Sequence, residues 1–282
     1  MRTALLATAI RTQREETVAL LGAAVHGDAA AVEAAAQLAA HLLTVDAALA
    51  SGRVGTILRI PPEPGPLMGT NPVAGARWQR EDPTRLPQLL AGSGQRLARR
   101  TRALALLGRV PLRGAAGRWS LRGLAAWHVL DEWVRAGDLD RVADAAADPG
   151  DPPLVDVVRG TVLADVLLGT LPRRVLPRID RSRGTVRLVV ELAAAVEGGD
   201  TGLAATPRRT WGIDFSRRQY GPRVTSPPDA VVHITAPALV LVAAGRRAWR
   251  GLPATALRID GDRPAATDVL DGIAPVSTEQ SG

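Results

Sequence analysis

The chain has no cysteine, and its 282 residues contain no lysine either, so all 35 basic residues are arginine. Without cysteine there is no disulfide, no thiolate nucleophile and no Cys-ligated zinc or iron–sulfur centre. Without lysine there is no Schiff-base chemistry, no pyridoxal-phosphate attachment and no P-loop lysine. Aromatic residues are scarce, with one Phe, one Tyr and six Trp. No apolar run in the sequence approaches the ~18 residues that a membrane span requires. The run Ala4–Ile10 leads straight into charge without a cleavage site, so it does not read as a secretory signal. The expectation is a soluble, cytoplasmic protein with no membrane partner.

What is abundant is Ala, Gly, Pro, Val and Arg, the composition of a GC-rich genome in which arginine replaces lysine. That origin discounts the formal charge of +7, which would otherwise point to nucleic acid. The densest basic run, RRVLPRIDRSRGTVR at 173–187, lacks the aromatic interleaving, zinc spacing or helix-turn-helix pattern of a nucleic-acid module. It sits where an interdomain linker should lie. Nucleic-acid binding through arginine-rich segments is a minor alternative.

Apolar spacing predicts helices over residues 3–24 and 29–49. In the second, Leu38, Leu42, Val45 and Leu49 form an inward stripe that also carries His41. In the first, the stripe is broken by charge packed at Arg11–Glu16. Residues 51–82, with PPEPGP and GTNP, read as a long connection with one short strand at Thr56–Ile60. EDPT at 81–84 starts a third helix, which runs on to Leu104–Leu107 with a weak spot at Gly92–Gly94. A further helix begins near Pro153 and carries Val157, Val162 and Val166, so residues 1–180 are expected to form an up-and-down helical bundle. The period then changes. Strands are predicted at 185–192, 209–215, 229–235 and 257–262, with helices after the last two. Residues 183–275 are therefore a small α/β domain and 276–282 a frayed tail, giving an α+β chain.

The central stretch is Trp119–Arg141, which holds three of the six tryptophans and a capping serine, Ser120, and ends at Gly137-Asp138. It places His128, Asp131 and Arg135 on one helical face at i, i+3 and i+7. Titratable residues on an inward face are the main sign of chemistry in the chain. His233, mid-strand in VVHIT, reads as structural; His26 precedes Gly27 at a helix end; Tyr220 lies in the turn-like SRRQYGPR.

Three segments, AAQLAAHLLTVDAALASG (35–52), WHVLDEWVRAGDLDR (127–141) and ITAPALVLVAAGRRAW with LRIDGD (234–262), carry a resemblance. In that order they resemble the mycothiol-dependent maleylpyruvate isomerase family, a DinB-like four-helix metal-binding bundle fused to a sterol-carrier-like domain. Its most specific piece is Gly245-Arg246 with Gly261-Asp262. The resemblance implies a divalent metal, usually zinc, with mycothiol as nucleophile, in an isomerase or transferase acting on a small carboxylate-bearing substrate. It also fits the composition, since such proteins occur in GC-rich actinobacteria. His41 matches the first metal ligand, Arg246 the arginine that reaches the substrate, and Asp138 the aspartate three residues beyond the last ligand. Asp131 stands where a carboxylate or histidine ligand belongs. Arg135 stands where the second histidine belongs, and arginine has no lone pair to offer a metal.

Two readings follow. In one, the site moves by a turn and His41, His128 and Asp131 hold the metal, with Arg246 clamping a substrate carboxylate. In the other, Arg135 takes over the charge of the metal, pairing with Asp131 or Asp138, and the histidines are hydrogen-bonded core residues. The second leaves a pocket for an anionic ligand at Arg135 and Arg246, or a non-catalytic bundle that binds a small anion or a protein partner.

Overall fold

The computed structural model describes residues 3–51, 78–103, 111–114, 117–143, 155–192 and 207–274, in two compact units, Met1–Gly150 and Asp151–Gly282. The strand expected at Thr56–Ile60, the helical extension at 104–107 and the tail at 276–282 lie outside the described residues.

Among the described residues the first unit holds four long helices: α1 (Thr3–Ala24), α2 (Ala29–Ser51), α3 (Leu86–Ala103) and α4 (Leu121–Ala143). Asp28 caps α2, accepting from Ala31 N at 2.8 Å. Asp82 caps the short 3₁₀ turn Pro83–Arg85 that leads into α3, accepting from Thr84 N at 3.0 Å. Helix α1 packs chiefly on α3 and α4, and α2 on the same two. Sequence neighbours α1 and α2 therefore sit across the interior from each other, unlike a simple up-and-down bundle, where consecutive helices are adjacent. One end of the interior is apolar, built from Leu21, Ala35, Leu38, Leu42, Leu86, Leu90 and Leu139. By length and composition α2 would suffice to cross a membrane, yet more than half of it is buried inside this unit.

Helix α4 starts two residues after the expected Trp119, because β2 (Gly117–Ser120) pairs antiparallel with β1 (Pro111–Gly114), a hairpin the sequence pattern does not announce. Ser120 caps it as expected, its Oγ accepting from Gly123 N at 3.0 Å. The helix also runs past Gly137-Asp138 to Ala143, with Leu139 fully buried beyond the glycine. Tertiary packing of Leu139 outweighs the roughly 1 kcal/mol that a helical glycine costs. From Leu124 to Ala136 every residue of α4 is buried, so this is an enclosed helix rather than an amphipathic one.

The second unit contains α5 (Val157–Val175), β3 (Thr185–Glu191), β4 (Arg208–Asp214), β5 (Gln219–Gly221), β6 (Ala230–Thr235), α6 (Ala236–Ala243), β7 (Leu257–Gly261) and α7 (Arg263–Ile273). The sheet order is β5-β4-β3-β6-β7, with β3 and β6 parallel and the other pairs antiparallel. The edge strand β5, with half-exposed Tyr220, is an element the sequence reads only as a turn. Val186, Leu188 and Val190 of β3 and Val232 of β6 are fully buried, and α6 and α7 pack on these two strands. Helix α5 packs on α6 and α7, which corrects the expectation that it completes the N-terminal bundle within residues 1–180. Its apolar face, Val162, Leu163, Leu167 and Leu171, is buried in the second unit.

The Gly-Arg and Gly-Asp pairs turn out to be helix-terminus devices. Gly245 has φ +68° and closes α6: Gly245 N donates to Val242 O at 3.0 Å and Arg246 N to Leu241 O at 2.8 Å, the paired bonds of a Schellman stop. Asp262 caps α7, accepting from Ala265 N at 3.1 Å. Gly261, at φ +87°, sits where a Cβ would lie 2.2 Å from Asp229 O.

Another close approach yields a test. A Cβ on Gly160 of α5 would lie 1.8 Å from Leu192 O, just past β3. Gly160→Ala should therefore force helix and strand apart and cost about 1–3 kcal/mol in urea unfolding. An unchanged midpoint would show that the approach is not structurally required.

Candidate functional site

Along α1 the buried positions Leu6, Ile10, Gln13, Arg14, Thr17 and Leu21 follow helical spacing, so Arg14 takes an inward place among apolar neighbours. The four helices converge on its guanidinium. Nη1 donates to Asp46 Oδ2 of α2 at 2.7 Å and Nη2 to Asp46 Oδ1 at 3.2 Å. Nε and Nη2 donate to the Glu132 carboxylate of α4 at 2.8 and 3.0 Å. Nη1 also reaches Leu90 O and Ser93 Oγ of α3, both at 3.2 Å. Ser93 Oγ in turn donates to Asp46 Oδ2. Arg14, Asp46 and Glu132 each keep 3% of their surface or less.

Gly94 makes this possible. A Cβ there would stand 2.5 Å from Arg14 Cγ, so the apparent weak spot in α3 is the space through which the arginine stem passes.

Burying ions unpaired is prohibitive, and here the pairing decides the protonation states. Burial alone would push the Asp46 carboxyl up, but the Arg14 charge and the His128 hydrogen bond outweigh it and hold the group well below the ordinary carboxylate range. Burial likewise opposes charge on Arg14, and Glu132 and Asp46 overcome it, leaving the guanidinium still harder to deprotonate. His128 Nε2 lies 2.9 Å from Asp46 Oδ1. A carboxylate there must accept, so Nε2 carries the proton. His128 Nδ1 is buried and has no partner among the described residues.

A second cluster lies on α2 and α4. His41 Nε2 is 2.6 Å from Asp131 Oδ2, and Arg135 Nε donates to Asp131 Oδ1 at 3.0 Å. Asp131 is fully buried; burial pushes its carboxyl up, but the bond from His41 and the charges of His41, Arg135 and His128 bring it below the usual range. Arg135 Nη1 is buried with no partner among the described residues.

The expected ligand set is thus separated. His41 and Asp131 meet each other, whereas His128 turns to Asp46, and among the described residues no three His, Asp or Glu groups converge as a metal would need. Both oxygens of Asp131 are engaged, one by His41 and one by the Arg135 guanidinium. A divalent ion placed between these donors would meet the fixed positive charge of Arg135, so His41, His128 and Asp131 do not fit one. Asp138 pairs with Arg141 on the half-buried end of α4. Arg246, in the second unit, donates from Nη1 to Ala244 O at 3.2 Å.

Arg14, Asp46, Ser93 and Glu132 are the residues that sequence reasoning misses. The signal was there for two of them: Arg14 lies four residues beyond Ile10 on the buried face of α1, and Asp46 four beyond Leu42 on that of α2. Elsewhere, His26 is exposed in the turn after α1, and His233 of β6 sits 3.4 Å from Asp260 Oδ2. In the basic run, Arg181 binds Asp268 at 2.8 Å and Arg178 donates to Gly272 O and Ala274 O at 3.2 and 2.7 Å.

No protein-family model matches the sequence, and no curated protein matches it. Among solved structures, the chain is similar to the mycothiol-dependent maleylpyruvate isomerase, with 15% identity over 92% of this chain and 93% of that chain and a TM-score of 0.48. A histidine-to-alanine mutant of that enzyme aligns over the same shares at 15% identity with a TM-score of 0.42. Function therefore has to be argued from the geometry of this chain itself.

Asp46→Asn leaves Arg14 short of a charged partner and should cost about 3–5 kcal/mol at neutral pH. Because the folded carboxyl is depressed, its stabilisation is complete above the unfolded value of about 3.9 and is lost as the pH falls below it. The gap in melting temperature between the parent and D46N should hold steady over about pH 5–8 and close in stronger acid. A gap that widens in acid would contradict the assignment.

Proposed function

We propose that the protein is a thiol-dependent isomerase or transferase acting on a small carboxylate-bearing substrate, with His41 as its general base and no metal in the step. The observation that carries this reading is the chain His41–Asp131–Arg135. Asp131 accepts from Nε2, fixing the imidazole tautomer and leaving Nδ1 as the basic nitrogen. Nδ1 has no hydrogen-bond partner among the described residues, and the His41 side chain keeps 6% of its surface while Asp131 keeps none. A base held by a buried carboxylate, itself held by a third group, is the arrangement that activates weak nucleophiles.

The chain has no cysteine, so the nucleophile must come from outside. A small thiol such as mycothiol supplies it when bound, consistent with the sequence resemblance. His41 then takes the thiol proton at Nδ1 and returns it when the adduct breaks down, and Asp131 stabilises the imidazolium formed meanwhile. Arg135 keeps Asp131 ionised and oriented.

The test is turnover of maleylpyruvate with mycothiol by untagged protein in excess EDTA. Turnover should persist in the chelator and fall about 10²–10⁴-fold in His41→Ala, the usual weight of a general base. Activity that requires added zinc, or that survives His41→Ala intact, would overturn the proposal.

A second reading is favoured by the buried, unpartnered Arg135 Nη1, which suits the oxygen of a small anion. In that case the protein is a non-catalytic binder. Maleate or fumarate should then raise the melting temperature of the parent and leave Arg135→Gln unaffected, in the absence of any thiol turnover.

A further inference from the structure

A cavity of about 380 Å³ lies within the second unit, between the segment that follows α5 and the turn that follows β4. Leu176, Pro177, Ile179, Arg181, Phe215 and Arg218 line it. We infer that this cavity is a binding site for a carboxylate with a compact apolar body, of the size of an aryl carboxylate, and that Arg218 meets its charge.

The apolar wall accounts for the body of the ligand. Phe215, the only phenylalanine of the chain, is buried, while Leu176 and Ile179 are half-buried, so a ligand that covers them removes further apolar surface from water. The volume stands near the lower end of the range for small-molecule sites, about 300–1,000 Å³, which suits a compact group better than a long chain. An aromatic ring also offers an aryl group favourable edge or offset contact. The wall is held in place from outside. Arg178, in the 3₁₀ turn Leu176–Arg178, donates to Gly272 O and Ala274 O at 3.2 and 2.7 Å, and Phe215 N donates to Gly184 O at 3.0 Å. A ligand therefore meets a surface that needs little ordering.

The charges account for the other end. Arg181 is already neutralised, donating from Nε to Asp268 Oδ2 at 2.8 Å and from Nη1 to Asp262 Oδ2 at 3.4 Å. In the turn after β4, Arg217 is engaged as well, its backbone N donating to Asp214 Oδ1 at 3.0 Å and its Nη1 to Ser226 Oγ at 3.1 Å. Arg218 differs from both, because its side chain has no partner among the described residues. The lining thus presents one uncompensated guanidinium beside an apolar wall, the complement of a monoanion, and a guanidinium can grip a carboxylate through two parallel hydrogen bonds.

The backbone supplies an independent sign. Arg218 has φ +50° and is, among the described residues, the one residue other than glycine in the left-handed region. Glycine takes that conformation freely and asparagine readily, whereas an arginine is strained in it. A strained residue whose long charged side chain bonds nothing else in the fold points to a use for that side chain in binding.

The test is titration calorimetry of the full chain with 2-naphthoate and with 2-naphthamide, which keeps the shape and removes the charge. Naphthoate should bind at one site per chain, and the amide about 10–100-fold more weakly, the weight of hydrogen bonds to a charged group. Arg218→Gly and Arg218→Asn both suit the left-handed backbone, so each should melt no lower than the parent and still lose naphthoate affinity by the same factor. Three results would overturn the inference: a parent that takes up no naphthoate at millimolar concentration, equal affinity for acid and amide, or arginine variants that bind as tightly as the parent. The site does not rest on the reading of His41. Arg218→Gly should keep the parent's thiol turnover, and loss of that turnover in His41→Ala carries no consequence for naphthoate, so the two ideas fail separately.

Discussion

One arginine and two carboxylates set the terms for the helical unit. Arg14, Asp46 and Glu132 are almost completely removed from water, and each would be intolerable there alone. Together they satisfy one another, and every other polar group nearby falls into line. Ser93 orients toward Asp46, His128 is fixed as a donor, and Gly94 gives up its helix propensity to let the arginine pass. Such an arrangement is not an efficient source of stability compared with apolar packing. What it demands is a mutual placement of the helices in which all of these groups meet.

The neighbouring His41–Asp131–Arg135 cluster follows the same logic one turn along α4. His128 and Glu132 serve the first cluster, Asp131 and Arg135 the second, so two successive pairs on a single enclosed helix face two different neighbours. Helical periodicity alone groups His128 with Asp131, because they are three residues apart. The partner on α2 divides them, Asp46 drawing one and His41 the other.

That division marks the limit of what could be read from the chain. Element types were legible wherever a pattern persisted for several turns or a full strand: α1, α2, β3 and β6 appear at the expected places. The hairpin β1–β2 and the three-residue β5 were too short to carry a period. Helix α5 was recognised but assigned to the wrong unit, since an apolar stripe states that a face is buried and not against what. In the site, Arg135 and Asp131 were visible as inward charges on a tryptophan-rich helix. Arg14 was hidden among the exposed charges Arg11, Glu15 and Glu16, whereas Asp46 stood alone in an apolar stretch with no sequence partner to mark it. The Gly-Arg and Gly-Asp pairs, the most family-like letters in the sequence, prove to be instructions for ending one helix and starting another.

The contact between Arg14 and Glu132 joins residues 118 apart in the chain. Nearly the whole unit must be synthesised and α4 docked before that ion pair can close. Until then the arginine is best left hydrated. The apolar end reaches equally far, from Leu21 to Leu139, but apolar contacts can form loosely, whereas the ions offset their desolvation only when all are in place. Drawing these helices apart would leave charges buried without partners, so the ion network resists partial opening of the unit.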